Sequence, residues 1–339
     1  MQKVRTAVVG AGKMGGIHSK VYSQLDQSEF VGVADIDQEK AQALAEQHGC
    51  QCFANPEDLI GKVDAVTISA PTVAHLELAK LFIENKISVL IEKPLATTAK
   101  QGKKIVDLAA KHGVVLAVGH SERCNPVVQA MKRLNIKPKF IEAIRVSPYP
   151  FRSTDIGVVL DVMIHDIDIV LAFAQDEVKK VDAVGVNVIA EHEDICNARI
   201  SFKNGCIANI TASRLALATT RKVRVFSRQA YLNIDYLKKE GLVLKTDKNI
   251  DVVKWVREHQ DKGDFDFATV NWPELLHIEQ LDIDEREPLR VEQESFLDAV
   301  IDRSKRPEVT GEEGLAALEC AEKILKSVSS HEWGEELPK

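Results

Sequence analysis

Near its N-terminus the chain places G-x-G-x-x-G, as Gly10–Ala11–Gly12–Lys13–Met14–Gly15, between an apolar run and a helix-forming stretch. Gly10 allows a tight turn, Gly12 lets a ligand approach the main chain, and Gly15 permits a helix to pack closely on its strand. The motif alone is weak, and its context gives it weight. Apolar runs at 3–9, 30–34, 64–69, 88–91 and 114–118 alternate with helical stretches at 13–25, 38–48, 73–85 and 97–112. Strands apolar on both faces that alternate with helices imply a parallel sheet covered on both sides. With right-handed crossovers this is a doubly wound α/β domain, expected over residues 1–120.

Beyond residue 120 the pattern changes. A short helix at 125–134 and a strand at 139–146 precede a strongly apolar stretch at 158–174. Runs such as 198–202, 207–212 and 222–226 alternate in polarity with period two, and Lys203–Asn204–Gly205 is the clearest turn between them. That period predicts a mostly antiparallel sheet with helices on one face. Amphipathic helices at 293–302 and 312–327 close the chain, and the charged stretch 282–292 reads as a solvated connection. Residues 121–339 are thus expected to form a second, α+β domain built on an open sheet. A sheet face left uncovered and apolar points to a protein partner.

Composition removes other classes. With 45% hydrophobic and 28% charged residues, the 339-residue chain is far from the disordered range. A net charge of −7 and 5% aromatics argue against nucleic-acid binding. No apolar run approaches the roughly 20 residues that span a bilayer, so no membrane association is expected. The chain enters a strand at once, with no apolar leader before it. Six scattered cysteines lack zinc spacing and predict reduced thiols in a cytoplasmic protein.

The motifs that carry chemistry come next. Asp35 ends the second strand, where an acid accepts both hydroxyls of a ribose; Ile36 follows it, with no arginine for a 2′-phosphate. That favours NAD over NADP. The alternatives are a tight turn with no ligand and, for Asp35, an N-cap on the next helix. The fifth strand ends in Ile91–Glu92–Lys93–Pro94, at the sheet edge where parallel α/β folds place ligands. Pro94 restricts Lys93 to extended backbone, which aims its amine, although a surface lysine at a strand end is an ordinary feature too. Asp161 and His165 stand four apart in an apolar segment, so a straight helix lets the carboxylate orient the imidazole, and Asp168 follows on roughly the same side. A helix-stabilising pair or a metal site would use the same spacing. From Ser213 to Arg228 there are five basic residues and no acid. An anionic substrate would suit them, with Arg214 and Arg152 the better candidates. Protection of an edge strand accounts equally for Lys222 and Arg224.

Taken together these residues resemble the Gfo/Idh/MocA family of NAD(P)-dependent sugar and inositol oxidoreductases, over essentially the whole chain. The resemblance rests on Gly10 to Gly15 with His18, on Ala70–Pro71–Thr72 with His75, and on Glu92–Lys93–Pro94. It rests also on Asp161, His165, Asp166 and Asp168, and on Phe296 with Val309–Thr310–Gly311. It implies an N-terminal Rossmann domain binding NAD, a catalytic set of Lys93, Asp161 and His165, and no metal. Cofactor contacts are implied for Gly10, Gly12, Lys13, Met14, Gly15, Asp35, Ala70, Pro71, Thr72, His75, Glu92 and Lys93. Many members have glycine where Met163 stands; with Gly119–His120–Ser121–Glu122–Arg123–Cys124–Asn125–Pro126, this is similar to a subgroup acting on nucleotide-linked amino sugars. The subgroup implies a sugar or nucleotide-sugar substrate held by His120, Arg123, Asn125, Arg152, Asp168 and Arg214. The expected reaction is oxidation of a ring hydroxyl, C3 of a UDP-linked N-acetylhexosamine, on the way to lipid A. Free sugars or inositols, an NAD-dependent glycosidase and a non-enzymatic NAD sensor are the alternatives. The family also implies a homodimer or homotetramer through the second-domain sheet.

Overall fold

The structure, a computed structural model, describes residues 3–149, 156–260 and 276–331. The chain divides into two compact units: Met1–Asn125 with Arg286–Lys323, and Pro126–Glu285 with Ile324–Lys339. The first unit opens with β1 (Val4–Val9), α1 (Lys13–Tyr22), β2 (Ser28–Ala34), α2 (Gln38–His48) and β3 (Gln51–Phe53). It continues with β4 (Ala65–Ile68), α3 (His75–Glu84), β5 (Ser88–Glu92), α4 (Ala99–His112) and β6 (Leu116–Gly119). Local chemistry sets the helix ends. Asp37 accepts the N–H of Lys40 to start α2, Thr98 accepts that of Gln101 to start α4, and Gly49 and Gly113 end these helices at φ 66° and 65°. The strands pair in the order β3-β2-β1-β4-β5-β6, every pair parallel. The order reverses between β1 and β4, which opens a crevice at their carboxyl ends. The three-residue β3 has too little apolar sequence to have been foreseen.

In the second unit α5 (Pro126–Arg133) and β7 (Phe140–Val146) lead to a π-helical turn, Val159–Met163, which runs into α6 (Ile164–Ala174). Strands β8 (Val178–Val186), β9 (Ile195–Phe202), β10 (Ile207–Ser213), β11 (Thr220–Phe226), β12 (Ala230–Asp235) and β13 (Glu240–Lys245) follow. Helix α7 (Ile250–Gln260) and strand β14 (Ile278–Gln280) complete it. The sheet order is β14-β13-β12-β11-β7-β10-β9-β8, antiparallel throughout except for β7 with β10. Ile141, Ala143, Ala198, Ile200, Ile210 and Leu232 are buried, and α6 packs on β7 and β10. The opposite face is mixed: exposed Ile195, Phe226 and Leu242 give part of the apolar surface expected of it. It carries a ladder of polar pairs, Arg224–Glu142, Asn197–Thr211 and Arg199–Asn209, beside the ring cluster Phe140, Phe226 and Tyr231.

The last stretch changes the expected division at 120. Helices α8 (Pro288–Ile301) and α9 (Gly311–Ser329) follow, and residues 286–323 group with the first unit. Leu289, Phe296 and Leu297 share one core with Val4, Val8, Tyr22, Leu25, Ala65 and Leu90. Burying side chains of this size contributes about 1.5–3 kcal/mol each. Gly314 fits under β6 because a Cβ there would stand 2.4 Å from Val118. The segment 282–292 is therefore only partly a solvated connection. Glu287 caps α8 by accepting the N–H groups of Leu289 and Arg290, and Glu292 lies inside the helix, 3% exposed. A buried charged residue reads, in sequence, like one facing water. Among the described residues no helix is long and apolar enough to cross a membrane.

Candidate active site

The turn after β1 is built as its glycines require. Gly10 has φ 106°, and a Cβ there would stand 2.7 Å from the backbone of Ser69. A Cβ on Gly15 would meet the carbonyl oxygen of Gly10 at 1.8 Å, so only glycine lets α1 seat this closely on β1. Above Gly12 there is open space within 4 Å, and no side chain caps the N-terminus of α1. An uncapped helix start beside a backbone with room above it presents oriented N–H donors suited to a phosphate. It faces a cleft of about 840 Å³ lined by Gly10, Gly12, Lys13, Met14, Asp35, Ala70 and Pro71, seven residues expected to touch a cofactor. Ser69, on the same wall, was missed; its hydroxyl donates to the Gly10 carbonyl at 2.9 Å, and its place at the end of β4 was the available signal.

Asp35 is held in place rather than capping α2, the role that Asp37 takes. One carboxylate oxygen accepts the Ala11 N–H at 2.5 Å and the other the Asp37 N–H at 2.7 Å. Gly15 lies beneath the turn, and Thr72 opens a single turn, Thr72–Ala74, next to the cleft. His75 is buried and does not line the cleft. Its Nδ1 lies 3.1 Å from the Pro94 carbonyl and its Nε2 2.9 Å from that of Ala70. Burial pushes the His75 imidazole below its ordinary pKa, against the Ala70 and Pro94 carbonyls that favour its charged form. Glu92 is likewise inward, bonded to His18. Lys93 is half-buried, and the Lys93–Pro94 peptide is cis. His120, Arg123 and Asn125 are buried just past β6, and Arg123 lies 3.6 Å from Glu313.

In the second unit Asp161 lies within the π turn and His165 in the α-helix that follows, both half-buried. The straight-helix expectation therefore gives way to a wider turn of a kind frequent at functional sites. The start of this helix is fastened. The Val158 N–H donates to the Glu193 carbonyl at 2.9 Å, and the Val159 N–H to the Glu193 carboxylate at 3.1 Å. Asp168 is buried on α6, as is Asp166, whose two oxygens accept from Arg145 at 2.7 and 2.9 Å.

Arg214 is the main correction. It is 1% exposed, with its Nε 2.7 Å from Asp194, its Nη1 3.0 Å from the Ile156 carbonyl and its guanidinium over Tyr149. Asp194 accepts three further N–H groups, from Val188, Ile189 and Ala190. Burial pushes the Asp194 carboxyl up, but these donors and Arg214 hold it well below the usual carboxylate range. The basic strip is thus largely consumed by structure, since Arg224 pairs with Glu142 and Lys222 with Asp235. Arg152 lies outside the described residues. Glu193 and Asp194, which anchor the helix, carried no sequence signal in a run of charged residues. Burial pushes the thiols of Cys196 and Cys320 up to about 12 and those of Cys50 and Cys206 up to about 11, which disfavours the thiolate at these four.

Comparison with known proteins bears on this site. Residues 4–120 match the oxidoreductase family with an NAD-binding Rossmann fold, and residues 145–232 match the GFO/IDH/MocA C-terminal domain. The chain belongs to the Gfo/Idh/MocA family. As a member it is an oxidoreductase that uses NAD. It is 31% identical over 301 residues to the UDP-N-acetylglucosamine 3-dehydrogenase of Acidithiobacillus ferrooxidans, covering 88% of this chain and 90% of that protein. The solved structure of that protein superposes with a TM-score of 0.85 at 29% identity, covering 97% and 99% of the two chains. The myo-inositol 2-dehydrogenase of Thermotoga maritima is 26% identical over 71% of this chain and 78% of its own length.

Proposed function

We propose that this family member oxidises the C3 hydroxyl of a UDP-linked N-acetylhexosamine. One observation carries the choice: the likeness to UDP-N-acetylglucosamine 3-dehydrogenase, at 31% identity, runs over 88% of the chain, against 55% and 71% for two inositol dehydrogenases. The first unit has what NAD needs: open space over Gly12, an uncapped α1 and the Asp35 carboxylate on the cleft wall. NAD bound there supplies the hydride acceptor. His165, oriented by Asp161, takes the proton of the ring hydroxyl, and Lys93 hydrogen-bonds that oxygen and stabilises its developing charge. His120, Arg123, Asn125 and Asp168 orient the sugar, and the diphosphate falls to Arg152 in place of Arg214. The working protein is a homodimer or homotetramer.

A second reading, oxidation of an inositol or a free sugar, has support from the inositol dehydrogenases among the relatives. An NADH absorbance screen across UDP-sugars, free hexoses and inositols separates the two. Turnover on UDP-N-acetylglucosamine is the expected result, and turnover confined to free polyols overturns the assignment.

A further inference from the structure

Lys93 is bracketed in sequence by two residues that buried histidines hold, Glu92 on one side and Pro94 on the other. We propose that His18 and His75 form a clamp that positions Lys93, with Gln293 of α8 fixing the orientation and tautomer of His18. The proposal rests on the reading that Lys93 serves the reaction.

The first jaw is fully defined by its hydrogen bonds. His18, on α1 and 0% exposed, has its Nε2 2.8 Å from one oxygen of Glu92. The other Glu92 oxygen accepts the backbone N–H of Lys93 at 3.2 Å. On the far side of the ring, the amide nitrogen of Gln293 lies 2.8 Å from His18 Nδ1 and 3.3 Å from the His18 carbonyl. That carbonyl only accepts, so the nitrogen end of the Gln293 amide faces His18, and Nδ1 accepts as well. The ring proton is then on Nε2 and is donated to Glu92. The second jaw is His75, whose ring stands between the carbonyls of Pro94 and Ala70; a neutral ring donates to one of them, and donation from Nδ1 to Pro94 holds the Lys93 segment. Glu292 brings a second carboxylate, and one oxygen of it, one oxygen of Glu92 and one His18 nitrogen lie within 4.8 Å of one another. This is also the donor set of a metal site. Both His18 nitrogens are already engaged, which favours the hydrogen-bonded clamp.

The physical consequence follows from the length of lysine. Its amine is delivered at the end of a flexible stem, so its reach is only as well set as its backbone. A misplacement of about 1 Å at a reacting group costs on the order of 100-fold in rate. His18, Gln293 and His75 are therefore positioning residues, acting through Glu92 and Pro94.

The test compares His18→Gln, which keeps a donor near the position of Nε2, with His18→Leu, which removes that donor, and Gln293→Leu, which removes the donor that sets the ring through Nδ1. On the sugar that the wild type turns over, His18→Leu is expected to lose about 10- to 100-fold in kcat with KM for NAD within about 3-fold. His18→Gln recovers most of that loss. A second readout needs no sugar: lysines are 13C-methylated, the Lys93 signal is assigned with Lys93→Arg, and its line shape is compared among the variants. A sharp signal in wild type and His18→Gln that broadens or shifts in the leucine variants supports the clamp even if no sugar is turned over. If His18→Leu does not fold, Gln293→Leu carries the same comparison. An unchanged Lys93 signal, or equal losses in His18→Gln and His18→Leu, overturns the clamp. So does one equivalent of metal that His18→Leu releases.

Discussion

Lys93 and His165 can be separated from the cofactor site by what each mutation leaves behind. Neither lines the cleft beside Gly12, so Lys93→Ala and His165→Ala should lose about 100- to 10,000-fold in turnover, the range for a general acid or base. NAD affinity measured by calorimetry should stay within a few-fold. Asp35→Asn should do the opposite. It removes a charge-assisted acceptor worth about 1.5–3 kcal/mol, so NAD binding weakens by roughly 10- to 150-fold. At this scale the sequence was readable wherever spacing demanded a particular backbone: Gly10, Gly12, Gly15 and Asp35 stand where their motif requires. It was not readable where two buried groups satisfy each other. Arg214 looked like a phosphate ligand because its partner, Asp194, is remote in sequence and meets it only in the folded unit.

The helix that carries His165 is held by two buried arginine–aspartate pairs, Arg145–Asp166 and Arg214–Asp194. Removing one partner of such a pair leaves an uncompensated buried charge, at a cost of about 3–5 kcal/mol. Arg214→Met should therefore lower the thermal midpoint of the protein markedly, measured by circular dichroism, with turnover falling alongside it. The pH dependence follows from the depressed Asp194 carboxyl. A carboxyl held below its unfolded value contributes stability that is fully present above the unfolded pKa of about 3.9 and is lost as pH falls below it. Acid unfolding should steepen below about pH 4 in the wild type and be flatter in Asp194→Asn. Elements were largely legible: the alternation of runs gave the parallel sheet, and period two gave strands β9 to β11. The parallel pairing of β7 with β10 was not, because period two fixes which face a residue takes and not which strand lies beside it.

For the whole molecule, the decisive feature is that α8 closes the core of the cofactor-binding unit from a point far along the chain. Phe296 is 0% exposed and packs with residues of β1, α1, β4 and β5. Phe296→Ala should cost about 3–5 kcal/mol, the range for truncating a buried phenylalanine. The loss belongs to the unit that binds NAD, so the cofactor should offset part of it. A ligand at 100 times its Kd stabilises the folded state by about 2.7 kcal/mol. Denaturant unfolding of Phe296→Ala with and without saturating NAD should thus show a large deficit that the cofactor narrows but does not erase. If Phe296→Ala instead unfolded at the wild-type midpoint, α8 would be an ornament on the fold. An amphipathic helix announces in its sequence that it will bury one face, but not which core it will join; Phe296 joins the one that holds the cofactor cleft.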